Sequence, residues 1–194
     1  MLQIFYKDKP IIISGNKSDL KNSLIIDFEL IENIDLIKLL DKKKIKSIGI
    51  ITKNQKSVIS FFKNKFPEVI AAGGKVTNQN SEILFIYRNK RWDFPKGKTE
   101  KNENISQTAL REVIEETGIK NLSIVKPLEK TYHIFKRGGI NYLKSTYWFE
   151  MYSDYKGKFK PQKKEGITRV EWIGIENKKS ILNKSYANIR LLFN

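Results

Sequence analysis

Between Gly97 and Ile119 the chain reads GKTEKNENISQTALREVIEETGI, and a helix is specified there from start to stop. Asn104 is a favoured N-cap, and Gln107 three residues later answers it in the manner of a capping box. Gly118 stands where a left-handed C-terminal cap favours glycine. These signals predict a helix from about Ile105 to Thr117. At about 100° per residue, Glu112, Glu115 and Glu116 share one arc, while Ala109, Leu110 and Val113 point elsewhere, toward a core. Like charges at this spacing repel by about 0.2–0.5 kcal/mol per pair. They also sit near the helix C-terminus, where the macrodipole disfavours anions. A segment that breaks two local rules points to a functional site. Hard divalent cations such as Mg2+ or Mn2+ take oxygen ligands and would neutralise the cluster. A solvated acidic helix face is the alternative. Arg111 can bridge the carboxylates and hold their rotamers, with Glu103 in the approach loop as its partner.

Composition narrows the chemistry. The 194 residues contain no cysteine, which excludes disulfides, thiolate catalysis and cysteine metal sites, and a single histidine, His133, excludes a multi-histidine metal site. A P-loop is missing as well, since no glycine–x4–glycine–lysine occurs. No apolar run is long enough to span a bilayer, and the N-terminus does not read as a signal peptide, so a cytoplasmic setting is expected. The net charge is +16, with only six arginines among 37 basic residues. Bidentate readout of bases and phosphates leans on arginine. The scattered lysines therefore read first as a solvated surface. Attraction of polyanions, phosphorylated metabolites or RNA, is the functional alternative. On charge alone, phosphorylated metabolites and nucleic acid both stay open as partners, as does the oligomeric state.

The order of segments is that of an α/β chain. Residues 1–70 read as a small α/β unit. Short strands are expected at Leu2–Tyr6, Ile11–Ile13, Leu24–Phe28 and Ile45–Thr52, with a helix-like pattern over Ile34–Leu40 and a helix capped by Asn54 that ends before Pro67. No catalytic constellation stands out in this part. Residues 71–194 form the second expected domain, joined without a flexible linker. It begins with EVIAAGGKVTN and Ser81–Arg88 as partner strands, followed by the turn-like WDFPKGK and the carboxylate helix. Strands follow at Leu122–Val125, Lys130–Lys136 and Tyr142–Tyr152, the last two flanking a glycine turn in RGGI. A lysine-rich loop, a strand over ITRVEWIGI and one C-terminal amphipathic helix carrying Ile181, Leu182, Ile189 and Leu192 close the chain.

The full spacing of the first segment carries a resemblance. Gly97, five residues, Glu103, seven residues, Arg111-Glu112-Val113, one residue, Glu115-Glu116, one residue, Gly118-Ile119 matches the Nudix box at each defined position. The chain from about Ala71 to Leu192 thus resembles the Nudix hydrolases, which implies an α/β/α sandwich with a mixed sheet. The resemblance implies that Glu112, Glu115 and Glu116 bind Mg2+ or Mn2+, joined by the carbonyl of Lys96. It further implies that Arg111 and Glu103 orient them, and that Gly97, Glu103 and Gly118 are structural. The implied reaction is hydrolysis of a phosphoanhydride in a nucleoside diphosphate-linked substrate, with Glu112 or the late-loop Glu165 as general base.

The WDFPKGK run is similar to the corresponding segment of diadenosine polyphosphate hydrolases and related nucleotide-cleaving members. (Di)nucleoside polyphosphates such as diadenosine tetraphosphate, or NTPs, are the expected substrates, met by Lys96, Lys98 and Arg88. Tyr132, Tyr147 and Trp148 could stack on a base, with core packing as the alternative for at least two of them. Oxidised dNTPs, diphosphoinositol polyphosphates and RNA 5′ ends are the other substrate classes. The diphosphoinositol enzymes usually carry a glycine run where this chain has PKGK. A non-catalytic Nudix-fold binder remains a further alternative, although such proteins typically lose box glutamates that this chain retains.

Overall fold

A computed structural model describes residues 1–193 and divides them into two compact units. The N-terminal segment supplies β1 (Leu2–Tyr6), β2 (Lys9–Ser14), β3 (Leu24–Asp27), α1 (Leu36–Asp41), β4 (Ile48–Ile51) and α2 (Gln55–Lys65). β1 and β2 form an antiparallel pair, and β4 runs parallel to both β2 and β3. Asp35 caps α1, so Ile34 falls outside that helix, at the end of a 3-10 turn over Phe28–Asn33. Asn54 caps α2 by accepting from the Ser57 N–H at 3.1 Å. The helix stops at Phe66, before Pro67. Val58 and Phe62 of α2 pack on Ile4, Ile11, Ile13, Ile48 and Ile50, the β-branched residues of the strands.

The next stretch holds β5 (Glu68–Thr77), β6 (Ile83–Arg88), β7 (Arg91–Asp93), β8 (Lys96–Lys98), α3 (Ile105–Thr117) and β9 (Ser123–Pro127). The Asn78 side chain organises the turn into β6, accepting from the N–H groups of Asn80 and Glu82 at 2.9 and 3.0 Å. The segment expected as a turn, WDFPKGK, is instead two three-residue strands around Phe94-Pro95. β7 pairs with β6 and β8 with β5, placing Gly97 opposite Ala72. Strands this short carry no periodicity of their own and exist because β5 and β6 offer them partners.

The chain ends with β10 (Thr131–Arg137), β11 (Ile140–Tyr152), β12 (Ile167–Ile173), α4 (Lys178–Asn183) and α5 (Ala187–Arg190). Gly138 and Gly139, at φ 56° and 83°, make the turn between β10 and β11. β10 runs parallel to β1, matching Ile4 with Tyr132 and Tyr6 with Ile134. Residues Tyr132–Lys144 therefore belong to the same compact unit as Met1–Val69, and a division at residue 70 does not describe the first unit. Its strand order is β10-β1-β2-β4-β3.

The second unit, Ile70–Thr131 and Ser145 onward, is built on β12-β6-β5-β11 with β7, β8 and β9 attached. Strand alternation makes it a sandwich. Leu84 and Ile86 of β6 face a cluster containing Ala109 and Val113 of α3, whereas Ile83 and Phe85 face one containing Ile181 and Ile189. The expected single C-terminal helix is broken into α4 and α5. The Trp92 N–H donates to the Lys184 carbonyl at 3.0 Å and Trp92 bridges Ser185, pulling those residues out of helical geometry. No helix among the described residues is long and apolar enough to cross a membrane.

Candidate active site

The local signals of the carboxylate helix all act. Asn104 and Gln107 form the reciprocal capping box, and Gly118 adopts the left-handed conformation at φ 72°. Ala109 and Val113 are fully buried, which leaves Arg111, Glu112 and Glu115 on the opposite flank. Arg111 directs each of its five N–H donors to an oxygen. Its Nε and Nη2 grip Glu103 Oε1 and Oε2 at 2.5 and 2.9 Å, and Nη2 also reaches the Lys98 carbonyl at 3.0 Å. Nη1 donates to Glu112 Oε1 at 2.9 Å and Glu115 Oε2 at 3.1 Å. Glu103 accepts further bonds from the Glu100 N–H and the Thr108 hydroxyl. The Arg111 guanidinium beside it holds the Glu103 carboxyl at about 2, well below its ordinary 4.5. Gly97 lies directly under Glu112, and a Cβ there would overlap that carboxylate.

Glu116 points inward. Only 1% of it is exposed, and burial pushes its carboxyl up to about 7. Its Oε2 accepts the Lys96 N–H at 2.8 Å and its Oε1 faces Arg88 Nη1 at 3.4 Å. Burial raises the Glu112 carboxyl as well, against the pull of Arg111. Arg88 also reaches Glu165 Oε2 at 3.9 Å, so the late-loop glutamate joins this group while remaining 56% exposed. The Lys96 ammonium is held by Asp93 Oδ2 at 2.6 Å, with both side chains nearly buried. Asp93 is the residue that the sequence reading missed. Its signal was the acid three positions before Lys96 in WDFPK, and the path through Phe94-Pro95 brings the two together.

The structure therefore gathers Arg88, Lys96, Gly97, Glu103, Arg111, Glu112, Glu115, Glu116 and Glu165 within the second unit, in contacts already given. Lys98 is exposed beside the Arg111 contact, and Gly118 packs against Lys160. Tyr132 is not brought to this group, because it packs into the hydrophobic cluster of the first unit. Trp148 is buried and donates to the Thr131 hydroxyl, and Tyr147 packs beside the cluster under α3, with Lys130 over its ring. Among the described residues no three acidic or histidine side chains stand ready around one cation position, since Glu112 and Glu115 turn to Arg111 and Glu116 to Lys96. The donor set nevertheless suits a hard cation. It consists of carboxylate oxygens on one helix flank, with one carboxyl burdened by burial and another seated over a glycine.

Comparison with known proteins adds the wider frame. The family model of the NUDIX domain matches residues 67–189. The chain is 29% identical over 131 residues to the m7GpppN-mRNA hydrolase of Saccharomyces cerevisiae, covering 62% of this chain and 12% of that protein. It is 43% identical over 56 residues to nucleoside diphosphate-linked moiety X motif 6 of Xenopus laevis, covering 27% of this chain and 26% of that protein. It thus spans a minor share of the length of these curated relatives. Among solved structures, the MutT protein from Methanosarcina mazei Go1 shares the fold, with a TM-score of 0.50 and 22% identity over 66% of this chain and 92% of that one.

Proposed function

The chain belongs to the Nudix family, and on that premise we propose that it is a metal-dependent pyrophosphohydrolase of nucleoside diphosphate-linked substrates. The observation that carries the reading is the Arg111 network, which orders Glu103, Glu112 and Glu115 around one guanidinium next to the buried Glu116. Mutual repulsion would otherwise scatter these carboxylates. Glu112, Glu115 and Glu116 would hold the divalent cation, joined by the Lys96 carbonyl. When bound, Mg2+ or Mn2+ supplies charge neutralisation for phosphoryl oxygens and acidifies an attacking water. Arg111 and Glu103 hold the helix carboxylates in place, and Asp93 keeps the Lys96 ammonium beside Glu116. The exposed Lys98 would meet substrate phosphate. Glu165 and Glu112 are the two carboxylates that can accept the proton of the attacking water, and Arg88 ties the first of them to the site.

(Di)nucleoside polyphosphates are the preferred substrates, supported by the likeness of WDFPKGK to diadenosine polyphosphate hydrolases. Hydrolysis at the 5′ end of RNA is the second reading, favoured by the similarity to the yeast m7GpppN-mRNA hydrolase and by the net charge of +16. Glu115→Gln and Glu116→Gln should each lower Mg2+-dependent turnover of diadenosine tetraphosphate, NTPs or capped RNA by at least about 10²-fold, with an unchanged circular dichroism spectrum. Unaltered turnover in both variants would remove the carboxylates from the chemistry.

A further inference from the structure

Beyond the carboxylate helix, the second unit carries a built loop whose charge the chemistry above does not use. Asp154–Gly166 reads DYKGKFKPQKKEG and contains five lysines, Lys156, Lys158, Lys160, Lys163 and Lys164, all exposed. The loop is anchored along its length. The Lys160 N–H donates to the Thr117 carbonyl at 2.7 Å and the Gln162 N–H to the Glu116 carbonyl at 3.2 Å. Tyr155, Phe159 and Trp172 pack in series, with both neighbouring pairs of ring centroids 5.9 Å apart. A 3-10 turn over Lys163–Glu165, closed by Gly166 at φ 73°, fixes the end that lies beside Arg88.

None of the five lysines forms an ion pair among the described residues, and the two acids of the loop are engaged elsewhere. Asp154 accepts from Asn121 at 3.1 Å and Glu165 faces Arg88. Lys160 has a local explanation, because it stands over the C-terminal end of α3, where the helix dipole favours a cation. The other four have none. Lys156 and Lys158 precede the stretch bonded to the last turn of α3, and Lys163 and Lys164 follow it, next to the Glu165 that faces Arg88. Lys98 and Arg88 already stand at the carboxylate site for a polyphosphate, so these four charges are additional to it.

We propose that the Asp154–Gly166 loop is a track for the phosphate backbone of an RNA strand whose 5′ end enters the carboxylate site. The proposal rests on the hydrolase reading and develops its second substrate class, the 5′ end of RNA, for the same site. Lysine is a point charge without arginine's planar fork, which favours phosphate contact over bidentate base readout. The loop's rings are taken up in packing, so binding is electrostatic and blind to sequence.

The test compares wild-type protein with a variant carrying Lys→Gln at 156, 158, 160, 163 and 164, and with a Lys→Arg variant at the same positions. The probes are a short unstructured 5′-triphosphorylated RNA and diadenosine tetraphosphate. With a single-strand slope of about −0.7 per phosphate contact, the four lysines without a local role give about −2.8, or roughly a 50-fold loss of wild-type RNA affinity between about 50 and 200 mM salt. The glutamine variant should lose most of this slope, the arginine variant should keep it, and all three proteins should turn over diadenosine tetraphosphate equally. An unchanged slope in the glutamine variant overturns the track, as does a parallel fall in dinucleotide turnover. Capture of phosphatidylserine vesicles without RNA binding assigns the loop to a membrane and also overturns it. If lysine-dependent RNA binding is seen but neither probe is hydrolysed, the hydrolase reading fails and the RNA surface stands.

Discussion

Arg111 gives four of its five N–H donors to glutamate oxygens and the fifth to the Lys98 carbonyl, so a single side chain orders the exposed half of the site. The Glu103 carboxyl lies at about 2 in the folded protein against an ordinary 4.5. The pairing therefore stabilises fully above about pH 4.5 and is lost as pH falls toward 2. Denaturation of wild type and Glu103→Gln should show a stability gap above about pH 5 that closes progressively on acidification. Glu116 behaves in the opposite sense. Its carboxyl is raised to about 7 by burial, so its charged form costs the folded protein on the order of 3 kcal/mol at high pH. Without metal at pH 8, Glu116→Gln should melt no lower than wild type, and Mg2+ should raise the melting temperature of wild type only. A variant that melts far lower without metal would show the carboxylate to be structural. Glu112, Glu115 and Glu116 were legible because helical periodicity is local. Asp93 was not, because an acid three residues from a lysine meets it only along a particular backbone path.

At the scale of elements, α3 is where sequence and structure agree most closely, since its caps, buried flank and end are all local. Gly118 combines a left-handed φ with close packing, its Cβ position lying 2.8 Å from Lys160 Cβ. Gly118→Ala should cost about 1–2 kcal/mol from the backbone alone and displace the lysine loop. Thermal melting and faster hydrogen exchange at the Lys160 amide would register both effects. An unchanged melting temperature would mean that the loop yields freely. Elements that depend on distant partners were read less well. The C-terminal helix pattern was real, yet the Trp92 N–H takes the Lys184 carbonyl and splits it. β7 and β8 are too short to announce themselves and form on the edges of β6 and β5.

At the scale of the whole molecule, the hairpin Tyr132–Lys144 belongs to the unit formed by Met1–Val69. Ile134 and Leu143 are fully buried in that unit's cluster. A protein beginning at Glu68 would leave them and the β1-facing edge of β10 without partners. It should elute as aggregates in size-exclusion chromatography, whereas a monomeric, fully active truncation would show that the hairpin needs no partner. By itself the sequence determined the carboxylate helix, its caps, the spacing of the Nudix box and the alternation of the sheet. These follow from interactions between residues a few positions apart, whose geometry periodicity and capping chemistry already fix. Only the tertiary structure decided that Asp93 clamps Lys96, that Arg88 joins Glu116 to Glu165 and that Tyr132 packs in the first unit. It also bonded the lysine-rich loop Asp154–Gly166 to the last turn of α3, at the Thr117 and Glu116 carbonyls. Each of those depends on where the chain returns in space, and propensity and spacing carry no information about that return.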